Sequence, residues 1–232
     1  MLISEIFYSI QGEGELTGVP SVFVRTSGCN LRCSWCDTPY ASWNPEGVNM
    51  DCGEIIENVK KHPTKHVVLT GGEPMIQKEI HHLCRELKHA GYHITIETAA
   101  TVEPDGITCD LASLSPKLSN STPDPEQFDK LWVARHNKRR TNSTALDNWT
   151  SNYNYQLKYV VSTLEDCNLL NAMYSLTYQH SIPKSKIMLM PEGVTHEQLK
   201  PRQKWLVDFC KAHGYRYCNR LHIELFGNTR GT

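Results

Sequence analysis

The chain has 232 residues, of which 39% are hydrophobic and 21% are charged, and its formal net charge is −1. These values exclude a disordered chain, fit one soluble globular domain, and give no indication of a nucleic-acid partner or an anionic membrane surface. No apolar run approaches the roughly 20 residues that cross a bilayer. Residues 1–5 lack the basic and apolar segments of a signal peptide, so we expect a cytoplasmic protein.

The first predicted strand covers residues 20–25, which are rich in β-branched and aromatic side chains. Alternation along this strand places Val22 and Val24 on one face and Phe23 and Arg25 on the other. A helix then follows, with Asp51 positioned as its N-terminal cap and Pro63 just beyond its end.

Strands and helices alternate through the rest of the chain. The predicted strands cover residues 66–70, 93–97, 107–114, 156–161 and 186–190, with a last strand within 215–225. The predicted helices cover residues 51–59, 76–90, 164–175 and 197–213, and Gly91 is positioned to end the second of them. This order predicts an α/β fold in a single domain, residues 1–232, with about six parallel strands in a partial (β/α)6-type barrel. In such sheets the chemistry takes place at the carboxyl ends of the strands.

One polar segment interrupts this pattern. Residues 136–154 are rich in Asn, Ser, Thr and Arg and nearly lack aliphatic side chains. We therefore predict an exposed insertion there. Its basic cluster, Lys138 to Arg140, is either a solvated loop or a contact for an anionic partner.

A compact cysteine loop is the main chemical signal. Cys29, Cys33 and Cys36 have the spacing C-x3-C-x2-C directly after the first predicted strand, and six more cysteines are scattered along the chain. Soft thiolates select zinc or iron–sulfur clusters, and closed sites of either kind normally have four ligands. Three ligands leave one iron open to bind another molecule, which favours a catalytic site.

The cysteine spacing resembles the signature of the radical S-adenosylmethionine (SAM) superfamily. A second mark of that superfamily, the sequence from Gly71 to Pro74, lies about 35 residues downstream, directly after a predicted strand. The resemblance implies a radical SAM barrel in which a 4Fe-4S cluster, bound by the three cysteines, delivers one electron to SAM. The resulting 5′-deoxyadenosyl radical then takes a hydrogen atom from the substrate.

Three further elements narrow the resemblance. The opening Glu5-Ile-Phe-Tyr-Ser-Ile-Gln-Gly-Glu-Gly14, the Cys-Asp-Thr at 36–38 and the Ser-Pro-Lys at 115–117 resemble the 7-carboxy-7-deazaguanine synthases. That family converts 6-carboxy-5,6,7,8-tetrahydropterin to 7-carboxy-7-deazaguanine, with loss of ammonia, for 7-deazapurine pathways, chiefly that of queuosine. The resemblance implies a carbon–nitrogen lyase that requires Mg²⁺, an electron donor such as flavodoxin, and a homodimer.

The resemblance also assigns roles to individual residues. The cluster ligands are Cys29, Cys33 and Cys36, and the magnesium ligand is Thr38. The residues that bind SAM are Trp35, Cys36, Asp37, Gly72, Glu73, Ser115, Pro116 and Lys117, and those that bind the substrate are Ile10, Gln11, Gly12, Arg25 and Thr70. No catalytic side chain is expected beyond the cofactors.

The chemistry of several side chains suits these roles, although each has a plainer alternative. The Gln11 amide both donates and accepts, as a pterin edge requires, but a polar turn is the alternative. The Arg25 guanidinium suits a carboxylate, but a surface salt bridge is the alternative. Thr38 offers a hard oxygen to magnesium, although Asp37 is the more obvious ligand by charge. We also expect Glu97 and Thr98 to approach the SAM ribose.

The C-terminal residues depart from the family pattern. His222 either faces the site or is a surface or core histidine on the last strand. The five residues after Gly227 put a role for the terminal carboxylate in doubt. Two other functions stay open: a radical SAM activase that generates a glycyl radical on a partner protein, and a non-catalytic iron–sulfur protein. The second would need a fourth ligand such as Cys52.

Overall fold

The computed structural model describes residues 1–178 and 180–232. One sheet of nine strands runs through the molecule, in the order β3-β1-β2-β4-β5-β6-β7-β8-β9. The strands are β1 Leu2–Ile10, β2 Pro20–Thr26, β3 Val48–Asn49, β4 His66–Gly71, β5 His93–Thr98, β6 Leu111–Leu114, β7 Tyr155–Val161, β8 Ile187–Pro191 and β9 Arg216–Tyr217. From β2 to β9 all neighbouring strands are parallel, whereas β1 is antiparallel to both β2 and β3.

Seven α-helices complete the fold within the described residues. They are α1 Cys52–Lys60, α2 Ile80–His89, α3 Lys130–Arg140, α4 Ser143–Asn152, α5 Leu164–Met173, α6 His196–His213 and α7 Leu221–Phe226. The six longer parallel strands, with β3 and β9 at opposite sheet edges, confirm the predicted partial barrel, which does not close. None of these helices combines the length and apolar composition that a membrane span requires.

The parallel strands pack their apolar faces into the main core. Val67, Val68 and Leu69 of β4 are almost completely buried, as expected for a strand covered on both faces. On β2 the predicted alternation is confirmed, since Val22 and Val24 are fully buried in the core whereas the other two side chains line a cavity. One face of β2 therefore packs in the core, and the other forms part of the cavity wall.

The start of the first helix was predicted correctly, whereas the start of the second helix was not. Asp51 caps α1 as predicted, with its carboxylate accepting from the Glu54 backbone N–H and the Glu54 side chain accepting from the Asp51 backbone N–H. The second helix begins only at Ile80, because residues 74–76 form a separate 3-10 turn that starts at Pro74. Gly91 follows its end in the left-handed conformation, with φ +77°.

Three other predicted boundaries were wrong. The strand predicted over 107–114 begins only at Leu111. The helix predicted to reach Ser175 ends at Met173, and a π-helix follows it. The strand predicted within 215–225 consists of two residues, and its remainder is α7. Leu221 and Ile223 recur there with only one residue between them, so the short apolar run did not distinguish a strand from a helix.

The predicted exposed insertion over 136–154 has regular structure and is only partly exposed. The segment forms the last five residues of α3 and all of α4, and it buries His136 and Trp149 completely. Asn142 caps α4, and the Trp149 indole N–H donates to the Val102 carbonyl at 2.9 Å. A few well-placed large or polar side chains therefore anchor these helices, although the segment as a whole is polar.

Candidate active site

A cavity of about 330 Å³ lies over the carboxyl ends of the parallel strands. Its wall brings together most of the residues assigned from the sequence, although these lie far apart in the chain. Those lining it are Ile10, Gln11, Gly12, Arg25, Cys29, Cys33, Trp35, Cys36, Asp37, Thr38, Thr70, Gly72, Ser115 and Lys117. Glu73 and Pro116 do not line this cavity.

The cysteine loop presents three thiols to the cavity. It follows β2, and it is held by fully buried Leu31 and by a tight turn in which the Cys36 N–H donates to the Cys33 carbonyl at 3.2 Å. Burial raises the pKa of the Cys29 thiol to about 12 and that of Cys33 to about 11, and the neighbouring thiols add to both shifts. A cationic iron cluster would stabilise the thiolate forms of Cys29 and Cys33.

No fourth cysteine joins this group within the described residues. Cys52 is buried in the main core at the start of α1, and it does not line the cavity. Three thiols would leave one iron of a four-iron cluster without a protein ligand.

The turn formed by residues 71–74, here called the glycine turn, packs directly against the cysteine loop. Gly71 has φ +134°, and a Cβ atom on Gly72 would lie 2.2 Å from the Gly28 carbonyl oxygen. The Glu73 backbone N–H donates to that same carbonyl at 2.9 Å. Only glycine permits this approach, so the turn sets the position of the loop's first residues.

The Glu73 carboxylate is completely buried behind the cavity wall. It accepts from the Thr98 hydroxyl at 2.7 Å, from the Ala99 N–H at 2.9 Å and from the Met75 N–H at 3.1 Å. Burial raises its pKa, and these hydrogen bonds oppose that rise. Glu73 therefore holds two strand ends together, and its predicted contact with SAM stays a prediction.

The Ser-Pro-Lys element lies beside the cysteine loop. The Lys117 ammonium donates to the Ser115 hydroxyl at 2.7 Å and lies 5.4 Å from the centre of the Trp35 ring. Pro116 faces a neighbouring cavity of about 300 Å³, which Lys117 also lines. An aromatic face and a cation at one position are suited to a nucleoside.

Strands β1 and β2 form another part of the cavity wall. Gln11 is buried, and its amide donates to the Ser21 hydroxyl at 3.0 Å. The Arg25 Nε donates to the Glu5 carboxylate at 2.6 Å, while the guanidinium lines the cavity and lies 5.6 Å from the centre of the Phe7 ring. Arg25 thus has both an ion pair and access to a ligand.

A row of polar side chains crosses the sheet floor. The Thr70 hydroxyl donates to one oxygen of the Glu97 carboxylate at 2.8 Å, and the Lys158 ammonium donates to the other at 3.0 Å. The Gln156 amide donates to the Ser113 hydroxyl at 2.9 Å. These residues occupy adjacent positions on parallel strands, so the register assembles the row.

An ion network connects the chain's two ends beneath this cavity. The Glu13 carboxylate accepts from Lys158 at 2.9 Å and from Arg220 at 3.1 Å. Burial alone would raise the pKa of Glu13, but these two cations hold it well below its ordinary value. Neither Lys158 nor Arg220 lies in a recognisable motif, so their place in this network could not be predicted from the sequence.

The C-terminal segment closes one side of the cavity. His222 lies on α7 and faces the site, with its Nε2 4.0 Å from a Glu13 carboxylate oxygen. Residues 227–232 also line the cavity. Arg230 lies 4.2 Å from the centre of the Tyr40 ring and 3.5 Å from a Glu5 carboxylate oxygen. The open question about His222 is thus settled in favour of the site.

Comparisons with known proteins identify the class of this fold and site. The Radical SAM superfamily profile matches residues 23–148. A crystal structure of QueE from Escherichia coli shares the fold, with a TM-score of 0.68 and 23% identity over 95% of this chain and 94% of that one. The chain belongs to the radical SAM superfamily, whose members use a 4Fe-4S cluster and SAM.

Two relatives define the family more closely. A 7-carboxy-7-deazaguanine synthase from Rhodopirellula baltica is 48% identical over 232 residues, which cover all of this chain and 89% of the relative. Another from Halobacterium salinarum is 43% identical over 237 residues, covering 99% of this chain and 92% of the relative. The chain belongs to the 7-carboxy-7-deazaguanine synthase family, as predicted, and this lyase assignment is favoured over the activase and the non-catalytic protein.

Proposed function

We propose that this protein converts 6-carboxy-5,6,7,8-tetrahydropterin to 7-carboxy-7-deazaguanine with loss of ammonia, as a step in queuosine biosynthesis. One observation carries this proposal: the three thiols of the cysteine loop share a cavity with Gln11 and Arg25 of the N-terminal strands. When bound, the cluster and SAM supply the 5′-deoxyadenosyl radical that abstracts hydrogen. The protein's own residues hold both partners in one orientation.

Different parts of the cavity wall suit the two molecules. Near the cysteines, Trp35 and Lys117 offer a stacking face and a cation to SAM. On the wall formed by β1 and β2, Arg25 is suited to the substrate carboxylate and Gln11 to a pterin edge. Thr70 and Glu97, which are hydrogen-bonded to each other, line the same cavity. This placement supports the assigned substrate-binding and SAM-binding residues.

Magnesium would bind at Thr38 in this scheme. The Thr38 side chain lines the cavity, and its closest described hydrogen-bonding neighbour is the Cys36 sulfur, at 3.9 Å. Asp37 is engaged elsewhere, because it accepts from Arg220 at 2.6 Å. One hydroxyl with substrate oxygens and water forms a shell of the kind that magnesium accepts. The donor set therefore favours Thr38 over Asp37.

The family resemblance supports the remaining proposals. We expect a homodimer in the cytoplasm that receives electrons from a carrier such as flavodoxin. The nine cysteines are free thiols, as a reducing compartment requires. Analytical ultracentrifugation of the purified protein tests the dimer directly.

The central experiment is anaerobic turnover. The purified protein is reconstituted with iron and sulfide, then supplied with dithionite, SAM, Mg²⁺ and carboxytetrahydropterin, and the product is identified by mass spectrometry. We expect 7-carboxy-7-deazaguanine. SAM cleavage without this product would overturn the substrate assignment but not the superfamily.

A pair of loop variants tests the cluster assignment. Cys33→Ala removes one proposed ligand and should abolish both the intact cluster and turnover. Ser34→Ala alters the adjacent, exposed side chain and should retain both. A full cluster in Cys33→Ala would contradict the assignment.

A further inference from the structure

The outer side of the cysteine loop is covered by α3. The Arg32 backbone N–H donates to the His136 Nδ1 at 3.1 Å, and the Arg139 guanidinium donates to the Asn30 carbonyl at 2.6 Å. Arg32 and Asn30 are direct neighbours of Cys33 and Cys29 in the chain. Helix α3 is therefore the element that separates the loop from solvent on the side away from the cavity.

This helix carries a concentrated positive charge. Residues 130–140 contain five lysines and arginines and no acidic residue, in a protein whose formal net charge is −1. The ion pairs formed by the described residues use other cations, such as Arg25, Lys158 and Arg220. The charge of α3 is thus free to attract an anionic surface.

The exposed side of α3 also has an apolar and aromatic centre. Leu131, 57% exposed, lies in one helical stripe with Arg135 and Lys138, at positions i, i+4 and i+7. Beside it, the Trp132 ring lies 3.9 Å from the Arg32 guanidinium, which belongs to the cysteine loop. A tryptophan flanked by arginines has the side-chain types that are enriched at protein-binding surfaces.

The opposite approach to the cluster is occupied during catalysis. The three thiols face the cavity that SAM and the substrate fill in the proposed function. A protein that delivers electrons from that side would have to displace them. The outer side of the loop is therefore the free route for electron delivery.

We propose that the exposed face of α3, formed by Lys130, Leu131, Arg135 and Lys138, docks a small acidic protein that delivers single electrons to the cluster. The inference rests on the proposed function in one respect only, which is that the cluster must receive single electrons from a donor. Charge complementarity identifies the partner, because an acidic surface would be steered to the face and held beside the cysteine loop. Small interfaces of this kind are typical of transient electron-transfer complexes.

Charge reversal tests the proposal in the cluster-loaded protein. The triple variant Lys130→Glu, Arg135→Glu, Lys138→Glu changes only exposed side chains. The measurement is the second-order rate constant for cluster reduction by reduced flavodoxin, followed by the cluster's visible absorbance in the presence of SAM. We expect at least a tenfold decrease at low ionic strength, within the range over which electrostatic steering acts.

Three comparisons sharpen the test. Reduction by dithionite, which needs no docking, should be unchanged in the triple variant. The matched triple variant on α6, Lys200→Glu, Lys204→Glu, Lys211→Glu, has the same change in charge. Its cluster should be reduced by flavodoxin at the wild-type rate. The neutral variant Lys130→Gln, Arg135→Gln, Lys138→Gln should be reduced by flavodoxin at an intermediate rate. In the wild type, added salt should slow reduction by flavodoxin but not reduction by dithionite.

The contrary outcomes are equally definite. An unchanged flavodoxin rate in the α3 variant, or an equal loss with dithionite, would overturn the proposal. Binding of tRNA that is lost in the α3 variant while the flavodoxin rate is unchanged would assign the face to nucleic acid instead. Failure to form 7-carboxy-7-deazaguanine would overturn the proposed substrate without altering these reduction rates.

Discussion

The Arg220 guanidinium donates to the Asp37 carboxylate at 2.6 Å, joining the C-terminal segment to the residue directly after the third cysteine. The same guanidinium donates to Glu13 at 3.1 Å and to the Gly193 carbonyl. Burial would raise the pKa of Asp37, but Arg220 holds it below its ordinary value. One side chain therefore connects three distant parts of the chain at the edge of the cavity.

Removal of the Arg220 guanidinium should destabilise the folded protein. Arg220 is 7% exposed, so Arg220→Ala leaves Asp37 without its partner and Glu13 with Lys158 alone, and we expect a loss of about 3 kcal/mol in the free energy of unfolding. Urea denaturation measures the change. Arg216→Ala, which removes a more exposed ion pair with Glu15, should cost at most about 1 kcal/mol. Equal losses in the two variants would contradict the special role of Arg220.

A methyl group at Gly72 should disturb the cluster. In Gly72→Ala the added Cβ would lie 2.2 Å from the Gly28 carbonyl oxygen and 2.5 Å from that of Ala41, and both belong to the backbone around the cysteine loop. The loop must shift, so we expect less iron per chain after reconstitution, together with a weaker visible spectrum. Gly53→Ala, inside α1, should keep the iron content and stabilise the helix by about 0.5–1 kcal/mol. Full iron loading of Gly72→Ala would refute this expectation.

His136 should make stability depend on pH. Its Nδ1 accepts from the Arg32 N–H, so its Nε2 carries the proton and donates to the Ser121 hydroxyl at 3.1 Å. Burial, with Arg140 and Lys117, lowers the pKa of His136 from 6.5 to about 4. Below pH 6.5 the unfolded chain binds a proton that the folded protein refuses, so stability falls as the pH drops toward 4.

The measurement compares unfolding free energies across that pH range. His136→Gln lacks the titrating group, so its stability deficit relative to the wild type should shrink as the pH falls from 6.5 toward 4. Exposed His89→Gln should follow the wild-type curve. A deficit for His136→Gln that is constant with pH would show that His136 titrates alike in both states.

Thr38 should determine the magnesium requirement. Thr38→Ala removes the proposed oxygen ligand, and we expect the Mg²⁺ concentration for half-maximal turnover to rise on the order of tenfold or more. Thr38→Ser keeps the hydroxyl and should restore most of the wild-type response. Treatment with EDTA should abolish turnover in all three proteins, and Mg²⁺ should restore it. An unchanged Mg²⁺ response in Thr38→Ala would place the metal elsewhere.

Local patterns predicted most elements of the fold. The capping box at Asp51 and the continuous apolar run of β4 act between near neighbours in the chain, so the sequence alone is sufficient to predict them. The insertion predicted over 136–154 is only partly exposed, because two buried side chains, His136 and Trp149, hold this polar segment against the rest of the fold. Their partners lie far away in the chain, at Arg32 and Val102.

The sequence by itself determined the chemistry of this protein. The spacing of Cys29, Cys33 and Cys36 and the glycines after β4 are short-range features, because a metal-binding loop and a tight turn need residue types at fixed intervals. Only the tertiary structure decided that Arg220 meets Glu13 and Asp37, that Lys158 meets Glu97, and that α3 covers the cysteine loop. Such contacts depend on strand register and on the packing of distant segments, which no local pattern encodes.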